Sequence, residues 1–263
     1  MPPNATINAI SATGRALKLL QRYGIESPRD VSLEDLAMAE NLLVVVDRLD
    51  GASGRLVRDG DNGVIRVSDA LHGQGPRRFV IAHELGHWFL HKNVSQAFVC
   101  TDADLHDYRS NPFETEANLF AAELLMPRYA IPEHVRVDEP QLALIRSLAE
   151  DFNVSISAAA MRYVELTRHT CLVVFSDRSG VRWWRTHDKS WIFLTAKQDI
   201  SPISATAQCF KGEATEAMQV VSGYAWFDHY DHGRRVGEVR ESAMMLGKTG
   251  LVLSLLWLPD AGC

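Results

Sequence analysis

The sequence predicts an α+β fold: helices and a small antiparallel sheet, then a helix pair, then a strand-rich α/β C-terminal domain. Three observations predict it. Apolar residues recur at helical spacing near the start and then switch to short β-branched runs. Two strongly apolar helical stretches follow each other between residues 77 and 126. After Arg168 the composition turns to strands.

Residues 7–23 place Ile7, Ile10, Leu17 and Leu20 on a helical stripe, with Gly24 as the stop. A second helix is expected over 32–41, with Ser32 as N-cap and Asp35 where a capping box usually has Glu or Gln. Residues 42–46 read as a strand, and 54–58 and 64–67 as two more. Asp61-Asn62-Gly63 carries hairpin-turn chemistry, so the three strands are expected to form an antiparallel meander. Residues 73–76 read as a loop.

From 77 to about 91 the chain is helical and apolar almost all round, which marks a buried helix. Its polar members His83, Glu84 and His87 then need partners. Residues 101–112 are polar and read as a loop; 113–126 is the next helix, stopped by Pro127. Residues 140–151 and 155–167 form a helix pair. Strands follow at 171–175, 181–185, 191–194 and 251–258. The expected domains are 1–135, 136–168 for the helical pair, and 169–263.

With 46% hydrophobic and 23% charged residues, the chain has the composition of a folded globular protein. Its net charge of −6 argues against a phosphate backbone as the default partner. The cysteines Cys100, Cys171, Cys209 and Cys263 form no CxxC pair and no secreted-type framework, so free thiols in a reducing compartment are expected. The N-terminal stretch lacks the apolar core of a signal peptide, and no apolar run is long enough to span a bilayer. A cytoplasmic location without membrane attachment follows as the expectation.

His83-Glu84-Leu85-Gly86-His87 carries the chemistry. Two histidines four apart on a helix share a face and can hold one zinc ion. Zinc lowers the pKa of its bound water to about 7, and the adjacent Glu84 can take that proton and pass it to a leaving amine. The bland alternative is a core helix with two satisfied histidines. A catalytic zinc site needs a third protein ligand and an open position. The candidates are Glu114, Glu116, His91, Asp102, Asp104 and His106. Glu114 and Asn118 lie one turn apart on one face with Ala121 and Leu125, while Glu116 points about 200° away. Small residues on that face allow close packing, so that Glu114 can reach the metal and Asn118 can accept a proton from a ligand imidazole. His91 is expected near the helix end, one turn too far and solvated.

AHELGHWFLH (82–91) followed by ETEANLFAAELLMP (114–127) resembles the ImmA/IrrE family of metallopeptidases. The second motif is met by Glu114, Asn118, Ala121, Leu124, Leu125 and Pro127, and Arg78–His83 also fits the family's entry into the helix. The resemblance covers residues 42–127 well and extends loosely to 168. It implies a zincin-like, gluzincin-type fold with His83, His87 and Glu114 as zinc (Zn²⁺) ligands and Glu84 as catalytic base. It also implies a cytosolic endopeptidase acting on Xre-type helix-turn-helix repressors, which relieves repression of stress-response or mobile-element genes. A protein that keeps the scaffold and antagonises its partner without cutting it is the alternative.

Residues 144–169 have helix-turn-helix spacing. The second helix offers only Ser155, Ser157 and Arg162 as polar readers, and the first carries Glu150 and Asp151, so direct nucleic-acid binding is not expected. A packed hairpin or a docking surface is the favoured reading. Trp183 and Trp184 are expected to point to opposite faces of a strand, one inside and one outside. With Trp191 they offer a core or one wall of a ligand pocket. His229, Asp231 and His232 read as a polar loop, with a second metal site as the alternative. A sensory or docking role for 169–263 is an analogy with relatives only.

Overall fold

The computed structural model describes residues 7–101, 104–105, 111–187, 194, 197–213, 216–227, 237–247 and 249–259. The chain divides into two compact units, Met1–Ala130 with Glu150–Ser155, and Ile131–Ala149 with Ile156–Cys263. The fold is α+β, with helices and a sheet in each unit.

In the first unit, α1 (Ala9–Arg22) starts at Asn8, whose side chain accepts from the Ser11 amide. The second helix, α2 (Leu33–Ala39), is capped by Ser32 through the Asp35 amide. The strands β1 (Leu42–Asp47), β2 (Gly54–Asp59), β3 (Asn62–Ser68) and β4 (Ala97–Cys100) form one sheet in the order β1-β3-β2-β4. This corrects the expected meander, because β1 runs parallel to β3 and only the β2–β3 and β2–β4 pairs are antiparallel. The hairpin loop is Gly60-Asp61, one residue earlier than the sequence suggests, since Asp59 pairs with Asn62. Gly60 has φ +60°, the left-handed conformation that a two-residue loop asks of its first position. Helix α3 (Gln74–Leu90) begins three residues before the expected start. Pro76 is tolerated there because a first-turn residue has no helical partner for its amide. It is followed by β4, which sequence periodicity does not reveal, and by α4 (Pro112–Leu125), capped by Asn111.

The next helices are α5 (Pro132–Val135), α6 (Leu142–Phe152) and α7 (Ile156–Leu166); Asn153 turns between the last two at φ +49°. The second unit's sheet is fully antiparallel, in the order β6-β5-β9-β8-β7. Its strands are β5 (Cys171–Asp177), β6 (Gly180–Thr186), β7 (Gln219–Ser222), β8 (Glu238–Met245) and β9 (Val252–Trp257), with α8 (Ala205–Lys211) between β6 and β7. Both central strands are buried along nearly their whole length, which explains their unbroken apolar runs. One face packs Leu172, Val174 and Leu256 against Trp226 and Phe227; Cys209 and Ala205 of α8 cover Ala243 and Val252. Trp183 and Trp184 are both half-buried, which corrects the inside–outside expectation. Trp183 stacks on Phe175 with ring centroids 3.6 Å apart, and Trp184 donates to the Leu194 carbonyl at 2.9 Å. The expected strand at 191–194 lies outside the described residues except for Leu194, which is not in a strand. Trp191, His229, Asp231, His232, Asp102 and His106 also lie outside them. Among the described residues no helix is long and apolar enough to cross a membrane.

Candidate metal centre

Helix α3 is buried because nearly every face of it is apolar, and it carries His83, Glu84 and His87 with 0% exposure. Helix α4 crosses it closely at Gly86. A Cβ at that position would stand 2.9 Å from Ala117 Cα, so only glycine permits the approach. The approach brings the first turn of α4 to the two histidines. Glu114 Oε2 lies 3.0 Å from His83 Nε2 and 3.3 Å from His87 Nε2, and the two Nε2 atoms are 3.0 Å apart.

A fourth donor comes from β4. Cys100 Sγ lies 3.5 Å from His87 Nε2 and 3.8 Å from Glu114 Oε2. The donor atoms of His83, His87, Cys100 and Glu114 all fall within 4.8 Å of one another. Sequence reasoning missed Cys100, because the register of β4 on β2, which pairs Cys100 with Gly54, is what sets its place. Cys171 and Cys209 are buried free thiols elsewhere.

The outer hydrogen bonds fix which ring nitrogens face the cluster. His83 Nδ1 is 2.9 Å from Asn118 Oδ1, and Asn118 Nδ2 donates to the Asp104 carbonyl at 2.8 Å. The amide is thereby oriented with its oxygen toward the ring, so His83 donates from Nδ1 and keeps its Nε2 lone pair. His87 Nδ1 is 2.9 Å from His91 Nδ1, and His91 Nε2 is 3.0 Å from Glu116 Oε2. With Glu116 accepting from His91, His91 Nδ1 accepts from His87, and the His87 Nε2 lone pair also faces inward. Phe98 stacks on the His87 ring with centroids 4.2 Å apart.

One sequence expectation changes here: His91 is 2% exposed rather than solvated. Glu116 stands with it and with the Asn8 amide, at 2.7 Å, away from the donor cluster, as its place around the helix implies. Asp104 accepts from the Thr101 amide and hydroxyl and is likewise outside the donor set. Of the six candidates for a third ligand, Glu114 is the one among the described residues that the structure brings to His83 and His87.

Charge follows burial. Burial pushes the Glu84 carboxyl up to about 7, despite the opposing pull of His83. Burial drives His87 down to about 4, so its imidazole is neutral at physiological pH. At His83 burial acts downward, but its contact with Glu114 and the Glu84 and Glu114 charges outweigh it, and the net shift is upward. Glu114 is held well below the usual carboxylate range: burial opposes ionisation, and its contacts with His83 and His87 overcome it. Both Glu84 oxygens are buried with no hydrogen-bond partner.

The donor set fits a tetrahedral cation. Bonds of about 2.0–2.1 Å to nitrogen and oxygen put corners roughly 3.3–3.4 Å apart, and a thiolate at about 2.3 Å stands roughly 3.6 Å from its neighbours. The nitrogen and oxygen separations of 3.0, 3.0 and 3.3 Å are at or slightly below the first range, and the sulfur separations of 3.5 and 3.8 Å bracket the second. Two imidazoles, one ionised carboxylate and one thiol are the ligand types that a borderline-soft divalent ion takes. An ionisable carboxylate left unpaired beside them is the place for a group that handles protons.

Residues 37–163 match the IrrE N-terminal-like domain family. Metallopeptidase ImmA of Bacillus subtilis (strain 168) is 28% identical over 116 residues, 43% of this chain and 65% of that protein. An uncharacterized immunity region protein 2 of Bacillus phage phi105 is 34% identical over 76 residues, 29% of this chain and 46% of that protein. The chain thus spans less than two thirds of the length of either relative. Among solved structures, a Mycobacterium tuberculosis transcriptional regulator superposes with a TM-score of 0.58 at 18% identity, covering 94% of this chain and 76% of that one. That likeness is one of fold.

Proposed function

The chain belongs to the ImmA/IrrE family through its residues 37–163, and on that premise we propose that it is a zinc-dependent endopeptidase with a zincin-like first domain. The observation that carries the proposal is Glu84: a buried carboxylate with His83, Cys100 and Glu114 around it, beside the cluster of His83, His87 and Glu114. Those three residues would hold the zinc. When bound, the ion supplies a Lewis acid for the scissile carbonyl and makes the attacking water acidic enough to lose a proton near neutral pH. Glu84 would take that proton and deliver it to the departing amine. Asn118 and His91 hold the two imidazoles in the tautomers that aim Nε2 inward. Among the described residues β4 is an edge strand of its sheet, and it ends at Cys100 beside the cluster. An extended peptide would pair along that edge and be led toward Glu84.

The substrate we propose is an Xre-type helix-turn-helix repressor, cut once in the cytosol to release the genes it silences. The similarity to a protein named a metallopeptidase supports a protein substrate. The test is to incubate the zinc-loaded chain with the Xre-type repressor encoded nearest its gene. Cleavage at one site, abolished by Glu84→Gln with zinc still bound, is the expected result. A repressor bound but left intact, with function in cells surviving Glu84→Gln, would overturn it in favour of a non-cleaving antagonist.

A further inference from the structure

We infer that Cys100 is a fourth protein ligand of the metal and keeps the site in a resting, water-excluding state. The inference rests on the peptidase reading, because it concerns the same ion, and it goes beyond the His83, His87 and Glu114 triad.

Two independent features of the structure point to it. The Cys100 sulfur is 3.5 Å from His87 Nε2 and 3.8 Å from Glu114 Oε2, which are the edge lengths of a mixed nitrogen, oxygen and sulfur tetrahedron. Glu84 is the second. The thiol lies beside its carboxylate, whose two oxygens are buried. Sulfur therefore lies next to both the general base and the donor cluster, the neighbourhood that an attacking water has to share for Glu84 to take its proton. No face of the cluster is open: His83, His87 and Cys100 are 0% exposed and Glu114 is 6% exposed.

A fourth protein donor is what separates structural zinc sites, which are closed, from catalytic ones, which keep a position for water. Here the donor arrives on a short strand that, among the described residues, is at the edge of a four-stranded sheet and joined to β2 alone. Ligation would break the S–H bond, the electron pair staying on sulfur and the proton leaving to solvent. Cleavage would require the reverse: sulfur takes a proton back and withdraws, leaving its corner to water.

The test uses the full chain loaded with Co²⁺ in place of zinc. Wild type is expected to bind one cobalt with a thiolate-to-cobalt charge-transfer band in the near ultraviolet. Cys100→Ser and Cys100→Ala are expected to bind one cobalt without that band, to hold zinc at least ~10-fold more weakly in chelator competition, and to cut the substrate faster than wild type. Cobalt bound by wild type without the band would overturn the fourth ligand and leave the peptidase reading standing. Failure of wild type to bind cobalt or zinc would overturn both. Variants that lose the band but cleave no faster would overturn the resting state.

Discussion

His91 Nδ1 lies 2.9 Å from His87 Nδ1, and Glu116 closes the line 3.0 Å from the other side of the His91 ring. This Glu116–His91–His87 relay fixes the tautomer of a ligand histidine through a second histidine and a carboxylate. Outer partners of metal ligands are typically worth ~10–100-fold in metal affinity. His91→Leu and Glu116→Gln are each expected to weaken zinc binding within that range while leaving the helix content intact. Chelator competition measures it. Unchanged affinity in both variants would mean the relay is only packing.

Glu84 makes the metal-free protein less stable at alkaline pH. Its carboxyl sits at about 7 in the folded chain against an ordinary 4.5, because burial penalises its charge. Below 4.5 both folded and unfolded chains hold the proton, and Glu84 costs nothing. Between 4.5 and about 7 the unfolded chain ionises while the folded one does not, and the cost grows. Above about 7 it is fully present, at 1.36 kcal/mol per pH unit of separation, or roughly 3 kcal/mol. Glu84→Gln is therefore expected to stabilise the metal-free chain at pH 8 and to have no such effect near pH 4. Denaturant unfolding of both proteins at the two pH values checks it; a stabilisation that persists undiminished at acid pH would refute the cause. The same variant is expected to lose at least ~10²-fold in cleavage rate.

How much of this was legible beforehand varies by element. The helices carrying His83, His87, Glu114 and Asn118 were, because a 3.6-residue period and helix caps are local signals. The sheet was less so. Its strands were read, but the placement of β3 between β1 and β2 depends on pairing between distant residues, which no local period encodes. Strand β4 is four residues long and carries no alternation to detect, so Cys100 stayed hidden with it. His91 was misread as solvated because its helix ends there; the burial comes from Phe98, Phe113 and Glu116, which reach it from elsewhere in the chain. In the second unit, β7, β8 and α8 escaped notice because polar residues such as Glu238, Arg240 and Glu241 interrupt the pattern. Glu241 is in fact buried, accepting from the Thr206 amide and hydroxyl and from the Trp226 indole.

Gly86 sets the distance between the two helices of the site. A Cβ there would meet Ala117 backbone atoms at 2.9 and 3.1 Å, and a backbone cannot turn aside as a side chain can. Gly86→Ala is expected to force α4 outward and to cost ~1–3 kcal/mol, as overpacked cores do. Because Glu114 moves with α4, zinc affinity is expected to fall together with stability. Unfolding and metal-binding measurements on one preparation test the coupling. A stability loss without any loss of affinity would show that α4 does not position Glu114.

Gly54 offers a way to disturb the base while sparing the metal. It pairs with Cys100 across the β2–β4 ladder and faces α3, so a methyl group added there would overlap Glu84 Oε1 and stand 2.7 Å from Val80 Cγ1. The three nearest atoms it would meet belong to Glu84 and Val80, not to His83, His87 or Glu114. Gly54→Ala is therefore expected to displace the Glu84 carboxylate and lower kcat at least ~10-fold, with zinc affinity held within a few-fold of wild type, since general-base catalysis is lost steeply as the carboxylate leaves its reach. The variant is read by kcat and by zinc stoichiometry together. A normal kcat in a folded, zinc-loaded Gly54→Ala protein would mean that Glu84 does not need the space that Gly54 leaves open.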